Sequence, residues 1–429
     1  MPGAFPGEEV EVEILGQGAH RAFGRLLTVN RSHLGRVKPP CTLTAVCGGC
    51  PWMGLAQPHQ LAAKVEIFRE MLRQSLPTAL TCLQPPVASP LQLGYRRRAR
   101  FTFGGERTEL SLGAYAAGSH TLIDVGGCPV TDPALLMARD HIGQVLDLTS
   151  LPPWDEKSAT GVLRHLVLQI NPVSGAILAL IVAGRETLEV GGKSIAIPWQ
   201  RFARSLLTPG EKPGISSVFL NLNPSPGNNL LGPETRHLAG DETLTLNLGG
   251  PTLTLPADGF SQVNHEAATL LYEHVAHLAG GGSLLLDLYS GVGAITLQLA
   301  PRFERALGIE WSPSAVEAAR RGATQQHLTG VEFFAGDVHA VLKTLPPEKG
   351  ATVILNPPRK GAGPEVLAEV MRWAPSRLIY VSCGPQALVR DLEQLTGAGL
   401  HLVSLTPFDF FPQTPHLEVV AHLEAGPLP

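Results

Sequence analysis

The second half of the chain predicts an α/β fold built on a doubly wound parallel sheet, and three observations carry that prediction. From about residue 264, helical segments of about 12–18 residues alternate with short apolar strands at 284–288, 306–309, 331–334, 352–355 and 377–381. The first strand runs into a Gly-rich turn, Asp287-Leu288-Tyr289-Ser290-Gly291-Val292-Gly293, and then into a helix. The last, Leu378-Ile379-Tyr380-Val381-Ser382, halts at Cys383-Gly384-Pro385. Stretches 401–407 and 416–423 follow with no helix between them and predict an antiparallel edge pair.

With 429 residues, 44% of them hydrophobic, the chain can bury large cores and should divide into two or three domains, which excludes a disordered or fibrous protein. No apolar run approaches the roughly 18 residues needed to span a bilayer. The start, Met1-Pro2-Gly3-Ala4-Phe5, lacks the charged and apolar regions of a secretory signal. A cytoplasmic protein with no membrane partner is expected, and a monomer. The net charge of −4 argues against binding nucleic acid through overall charge, yet residues 1–130 carry 13 Lys/Arg against 9 Asp/Glu. Any polyanion-binding surface is therefore expected toward the N-terminal part.

Residues 1–40 form a first segment, alternating apolar and polar through Val10-Glu11-Val12-Glu13-Ile14 and again near Leu26-Leu27-Thr28-Val29, as short strands do. This is less than a complete small barrel. Residues 41–240 are read as a cysteine loop followed by a β-rich domain. A helix over 58–77, with Leu61, Val65, Phe68 and Leu72 at helical spacing, can pack on the domain that follows. Hairpins are expected over 93–130, and strands over 161–230 around the turn Asn171-Pro172-Val173-Ser174-Gly175. Residues 241–429 form the α/β domain.

Cys41, Cys47 and Cys50, with a distant Cys128, supply four thiolates, enough to close a structural site around zinc or a 4Fe-4S cluster. Zinc ribbons usually pair two Cys-x2-Cys knuckles, whereas this spacing is three plus one. Cys82 is expected to be an ordinary core residue. Between Cys50 and Cys128 lie Arg96, Arg97, Arg98 and Arg100, flanked by Tyr95 and Phe101. They combine forked donors for phosphates with flat faces for bases. On a strand, Arg96, Arg98 and Arg100 would share one face. A solvated charge run is the plain alternative.

In an open α/β sheet the carboxyl ends of the strands face the ligand crevice, so Cys383, just beyond such a strand, is the candidate nucleophile. By itself a strand-end cysteine is more often an inert core residue. The Gly-x-Gly turn lets backbone approach a ligand, and Glu310, at the end of the next strand, can accept hydrogen bonds from both ribose hydroxyls. The Asp-Leu-Tyr-Ser-Gly-x-Gly form resembles the first motif of S-adenosylmethionine-dependent methyltransferases. That likeness puts Asp337, in Gly336-Asp337-Val338, near the adenine, against the plain reading of a helix cap.

Taken with Phe260-Ser261-Gln262-Val263-Asn264, Asn356-Pro357-Pro358-Arg359-Lys360-Gly361, Ser382-Cys383-Gly384-Pro385 and Phe411-Pro412-Gln413-Thr414-Pro415-His416-Leu417-Glu418, the chain resembles the RNA uridine-5-methyltransferases. The resemblance runs from about Pro6 to Leu423. It is strongest to the branch that carries an iron-sulfur cluster and methylates large-subunit ribosomal RNA. It implies Cys383 as the thiol that adds to carbon 6 of uracil and Glu418 as the base that removes the carbon 5 proton. It further implies Gln262, Tyr289, Glu310, Asp337 and Asn356 as the cofactor-binding set, Phe260 beside the target base, and Arg96, Arg98 and Arg100 on RNA. The cluster would be 4Fe-4S, held by Cys41, Cys47, Cys50 and Cys128. The N-terminal segment resembles only the second half of the family's OB-like TRAM barrel.

Three departures qualify the resemblance. Asn356 stands where the family usually has Asp, Gly384 where Asn is usual, and Ser290 where a second Cys is common. Asn356-Pro357-Pro358 is similar to a motif of methyltransferases acting on exocyclic amines, so that activity remains an alternative. Transfer RNA as the substrate, and an inactive RNA-binding assembly factor, are the others.

Overall fold

The computed structural model describes residues 3–18, 22–106, 109–227 and 229–426. The α/β domain holds the seven-stranded sheet that the alternation of strands and helices predicts. Its strands are β1 (Gly282–Leu288), β2 (Phe303–Glu310), β3 (Val331–Ala335), β4 (Thr352–Leu355), β5 (Arg377–Ser382), β6 (Leu400–Phe408) and β7 (Glu418–Ala425), in spatial order β3-β2-β1-β4-β5-β7-β6. β1 to β5 are parallel and β7 runs antiparallel between β5 and β6. The order reverses between β1 and β4, and at that switch point the loops leaving neighbouring strands diverge and open a crevice.

The parallel strands are apolar runs because both faces are covered. Leu285, Ile354 and Ile379 face one core with helix His265–Ala279, while Leu284, Leu286, Val353 and Tyr380 face the other. Helix Gln57–Ser75 contributes Phe68 and Leu72 to that second core. The following segment continues the docking, since Gln84 and Val87 donate backbone hydrogen bonds to Leu405 and Pro407 on β6 at 2.8 Å each.

The central domain is a second seven-stranded sheet, in the order Glu234–Gly240, Gly214–Leu222, Ala176–Ala183, Leu163–Ile170, Arg98–Glu106, Glu109–Tyr115, Leu122–Asp124. Helices Pro133–Asp147 and Trp199–Leu206, which periodicity did not single out, fill its core with Leu135, Ile142, Ala203 and Leu206. Asp132 starts the first of them by accepting from Ala134 N–H at 2.8 Å. Among the described residues, the first forty contribute an antiparallel hairpin of Glu9–Gln17 and Ala22–Arg31, whose Ile14, Leu15, Phe23 and Leu27 are exposed. Among the described residues no helix is long and apolar enough to cross a membrane.

Candidate active site

The register of β5 against β7 pairs Ser382 with Val419. Continuing that antiparallel register, one residue on from Ser382 and one back from Val419, brings Cys383 alongside Glu418 at the rim of the crevice. Cys383 is half-buried and Glu418 is buried. Burial pushes the Cys383 thiol up, the charge of Glu418 adds to that, and Arg359 opposes both. Burial likewise raises the Glu418 carboxyl to about 8, with Arg359 again pulling it back. Arg359 therefore stands against nucleophile and base together. In the sequence Arg359 stands only within the Asn356–Gly361 motif, where a pair of adjacent cations in a Pro-rich turn after a strand is the available signal.

The Arg359 backbone passes close to Gly384: a Cβ built there would lie 2.4 Å from the Arg359 carbonyl oxygen, so a larger residue would require the loop to move. The buried Asp391 accepts from Ala362 N–H at 2.9 Å and from the Tyr380 hydroxyl at 2.7 Å, tying the turn after Arg359 to the strand that carries Cys383.

The cofactor crevice lies beyond β1 and β2. Gly293 has φ of 81°, a conformation that costs glycine little, and a Cβ there would press on Phe333 at 3.0 Å. Tyr289 is half-buried, also in the left-handed region, and donates its N–H to Ile309 O at 2.9 Å. Glu310 accepts from Gly291 N–H at 3.0 Å through one carboxylate oxygen and from Ser312 N–H at 2.9 Å through the other. Each oxygen keeps a second lone pair for a ribose hydroxyl. Asp337 is exposed and caps helix Val338–Thr344 by accepting from Ala340 N–H at 3.0 Å. Asn356 is half-buried, and its N–H donates to Leu288 O at 3.2 Å, which sets the loop after β4 against the end of β1.

Gln262 lies beside the Tyr272 hydroxyl, and Tyr272 feels the charges of both Asp287 and Glu418. Asp287 and Tyr272 were not singled out from sequence as site residues. Phe260 is 69% exposed on the same loop and free to meet a ligand. Arg98 supports that loop: its Nη1 donates to Gly259 O at 2.6 Å.

The arginine run does not present one basic face, because the strand begins only at Arg98. Arg97 pairs with Asp132 and Glu266, Arg98 is turned toward Gly259, and Arg100 is exposed. Arg96 is partly buried, and its Nε has no hydrogen-bond partner among the described residues. Its backbone N–H donates to Val130 O at 2.9 Å, two residues from Cys128.

Cys41, Cys50 and Cys128 pack around Met53, Tyr95 and Val130. Burial pushes the Cys50 thiol up to about 12; Arg96 lowers it, and the charges of Cys128, Cys47 and Cys41 raise it further. The four thiols are thus neighbours, although among the described residues no three His, Cys, Asp or Glu side chains converge tightly enough to hold a metal ion.

Residues 344–425 match the family model described as tRNA (uracil-5-)-methyltransferase, and residues 255–381 match the methyltransferase small domain. An uncharacterized RNA methyltransferase of Synechocystis is 32% identical over 429 residues, covering 99% of this chain and 90% of its own. One from Gloeobacter violaceus is 34% identical over 431 residues, covering 99% and 91%. Among solved structures, a Pyrococcus abyssi tRNA (uracil-54, C5)-methyltransferase in complex with S-adenosyl-L-homocysteine superposes with a TM-score of 0.76 at 25% identity, covering 98% of this chain and 94% of that one.

Proposed function

The chain belongs to the S-adenosylmethionine-dependent RNA uracil-5-methyltransferases, and from that premise we propose that it methylates a uridine of large-subunit ribosomal RNA through a Cys383 adduct. The observation that supports the adduct is the meeting of Cys383, Glu418 and Arg359 at the rim of the cofactor crevice; the ribosomal target rests on the sequence resemblance.

S-adenosylmethionine supplies an electrophilic methyl group on sulfur. Carbon 5 of uracil is a poor nucleophile, so Cys383 must first add to carbon 6 and turn carbon 5 into the carbon of an enolate. Arg359 favours the thiolate that this step needs. Glu418 then takes the carbon 5 proton from the methylated adduct, the electron pair reforms the 5,6 double bond, and the thiolate leaves. A carboxyl raised to about 8 is matched to that task, since a base works best with a pKa near the operating pH. The uridine has to be flipped out of its stack, because neighbouring bases cover both ring faces, and the exposed Phe260 would stack on it. Tyr289, Glu310 and Asp337 would hold the adenosine, with Gln262 and Asn356 toward the reacting end. The exocyclic-amine alternative leaves Cys383 and Glu418 without a role.

Cys41, Cys47, Cys50 and Cys128 would hold a 4Fe-4S cluster. In charge the residues suit such a group: the Arg96 guanidinium lies near Cys50 and Cys128 with a buried N–H unspent, suited to an anionic centre. A structural role, shaping the RNA-binding surface, is supported by the position of Arg96–Arg100 between Cys50 and Cys128 in the chain.

Two substitutions test the chemistry. Cys383→Ala should abolish both methylation and adduct, whereas Glu418→Gln should still transfer the methyl group, accumulate protein covalently joined to methylated RNA, and lose turnover by about 10²–10⁴-fold. Full activity in Cys383→Ala would refute the adduct. A second reading, transfer RNA as substrate, is favoured by the Pyrococcus relative, a tRNA (uracil-54, C5)-methyltransferase. Mapping 5-methyluridine in both RNAs from cells lacking the protein decides between them.

A further inference from the structure

The loop that leads into Glu418 is held from the other end of the chain. Gln413 is 6% exposed and has φ of 72°, a backbone conformation that a glutamine keeps only where its surroundings impose it. Gln60, on helix Gln57–Ser75, supplies that imposition. Its Oε1 accepts from Gln413 N–H at 2.8 Å, and its Nε2 donates to Gln413 Oε1 at 2.8 Å, to Leu55 O at 2.6 Å and to Trp52 O at 3.1 Å. Trp52 N–H donates to Gln413 O at 3.0 Å. Around this pair, Lys64 Nζ donates to Asp409 Oδ1 at 2.6 Å and Phe411 O at 2.9 Å, and the Tyr95 hydroxyl donates to Pro412 O at 3.1 Å.

An interface that only had to stick would use apolar side chains, because burying an amide and an ammonium costs desolvation that their partners must offset. What directional contacts add is register. The residues they hold, 409 to 413, run directly into Glu418, whereas Cys383 arrives on β5, whose own tie is Tyr380 to Asp391.

We propose that Gln60 and Gln413 form a clasp that positions Glu418 for proton removal, so that the segment carrying Cys50 and Trp52 sets the geometry of the last chemical step. Both are positioning residues, and the inference rests on Glu418 being the base. Thiol addition and methyl transfer precede that step, so loosening the clasp slows release and spares transfer.

Gln60→Met keeps the length and removes every donor and acceptor. Hydrogen exchange of the Phe411, Gln413, Thr414, His416 and Leu417 amides should speed up by about tenfold or more. Single-turnover methyl transfer should stay within about twofold of the parent while the covalent protein–RNA adduct rises several-fold. Unchanged exchange, or equal losses in transfer and release, would overturn the clasp. If Gln60→Met does not fold, Gln413→Gly decides instead: it tolerates the backbone conformation and keeps the N–H, but lacks the acceptor for Gln60, and normal release in that variant counts against the proposal. If even Glu418→Gln forms no adduct, the assignment of the base has failed, and the exchange data still decide the clasp.

Discussion

Asp287 lies at the carboxyl end of β1, 1% exposed, accepting from the Thr296 hydroxyl at 2.6 Å through Oδ2, with no partner for Oδ1 among the described residues. Burial pushes its carboxyl up to about 7. Its folded pKa is above the unfolded value of 3.8, so between those values the native state holds a proton that the unfolded chain has lost. The stability this contributes is full below the unfolded pKa and is lost as pH rises through about 7. Glu418 acts in the same direction through about 8. Asp287→Asn should therefore flatten, without abolishing, the fall in stability between acid and neutral pH. It should gain on the parent by an amount on the order of a few kcal/mol at alkaline pH. Denaturant midpoints measured across that range check it, and an unchanged slope would mean that Asp287 is ionised in the folded protein.

At the scale of the element, the strand Arg98–Glu106 and the loop before helix His265–Ala279 form one unit. Arg97 N–H donates to Val263 O at 2.8 Å, and Arg98 holds Gly259 O beside Phe260. Arg97 is neutralised by two carboxylates and Arg98 is spent on the loop, which leaves Arg100 as the exposed cation of the strand. Arg100→Ala should reduce the salt dependence of RNA binding by one phosphate contact, a slope change of about 0.7–0.9. Arg98→Ala should leave that slope alone and slow methyl transfer, because the loop presenting Phe260 loses its anchor. Salt titrations of RNA affinity for the two variants separate the roles; equal slope changes would return both arginines to the phosphate backbone.

For the whole molecule, the cysteine loop is the joint. Ala117 in the central domain donates its N–H to Val46 O at 2.9 Å, and Trp52 reaches Gln413 in the α/β domain. A bound cluster would therefore brace both domains at once. Protein purified without oxygen should be brown, and Cys50→Ser should lose the colour and the iron and become less resistant to proteolysis within residues 41–128. Iron analysis and visible absorption check this; a colourless, folded parent holding zinc would overturn the cluster.

Local pattern by itself determined the doubly wound sheet and the antiparallel edge, because strand and helix periods are properties of neighbouring residues. It also determined that Cys383 and the Gly-x-Gly turn end their strands, which is where an α/β sheet opens its crevice. The motifs, read in order, pointed to the family. Only the tertiary structure decided which members of the arginine run meet solvent, that Arg359 stands against both Cys383 and Glu418, that Gly384 makes room for its backbone, and that Asp287 lies buried. The clasp between Gln60 and Gln413 joins residues 353 positions apart. Burial and charge pairing are set by what the folded chain brings into contact, and a linear pattern carries no record of partners that distant.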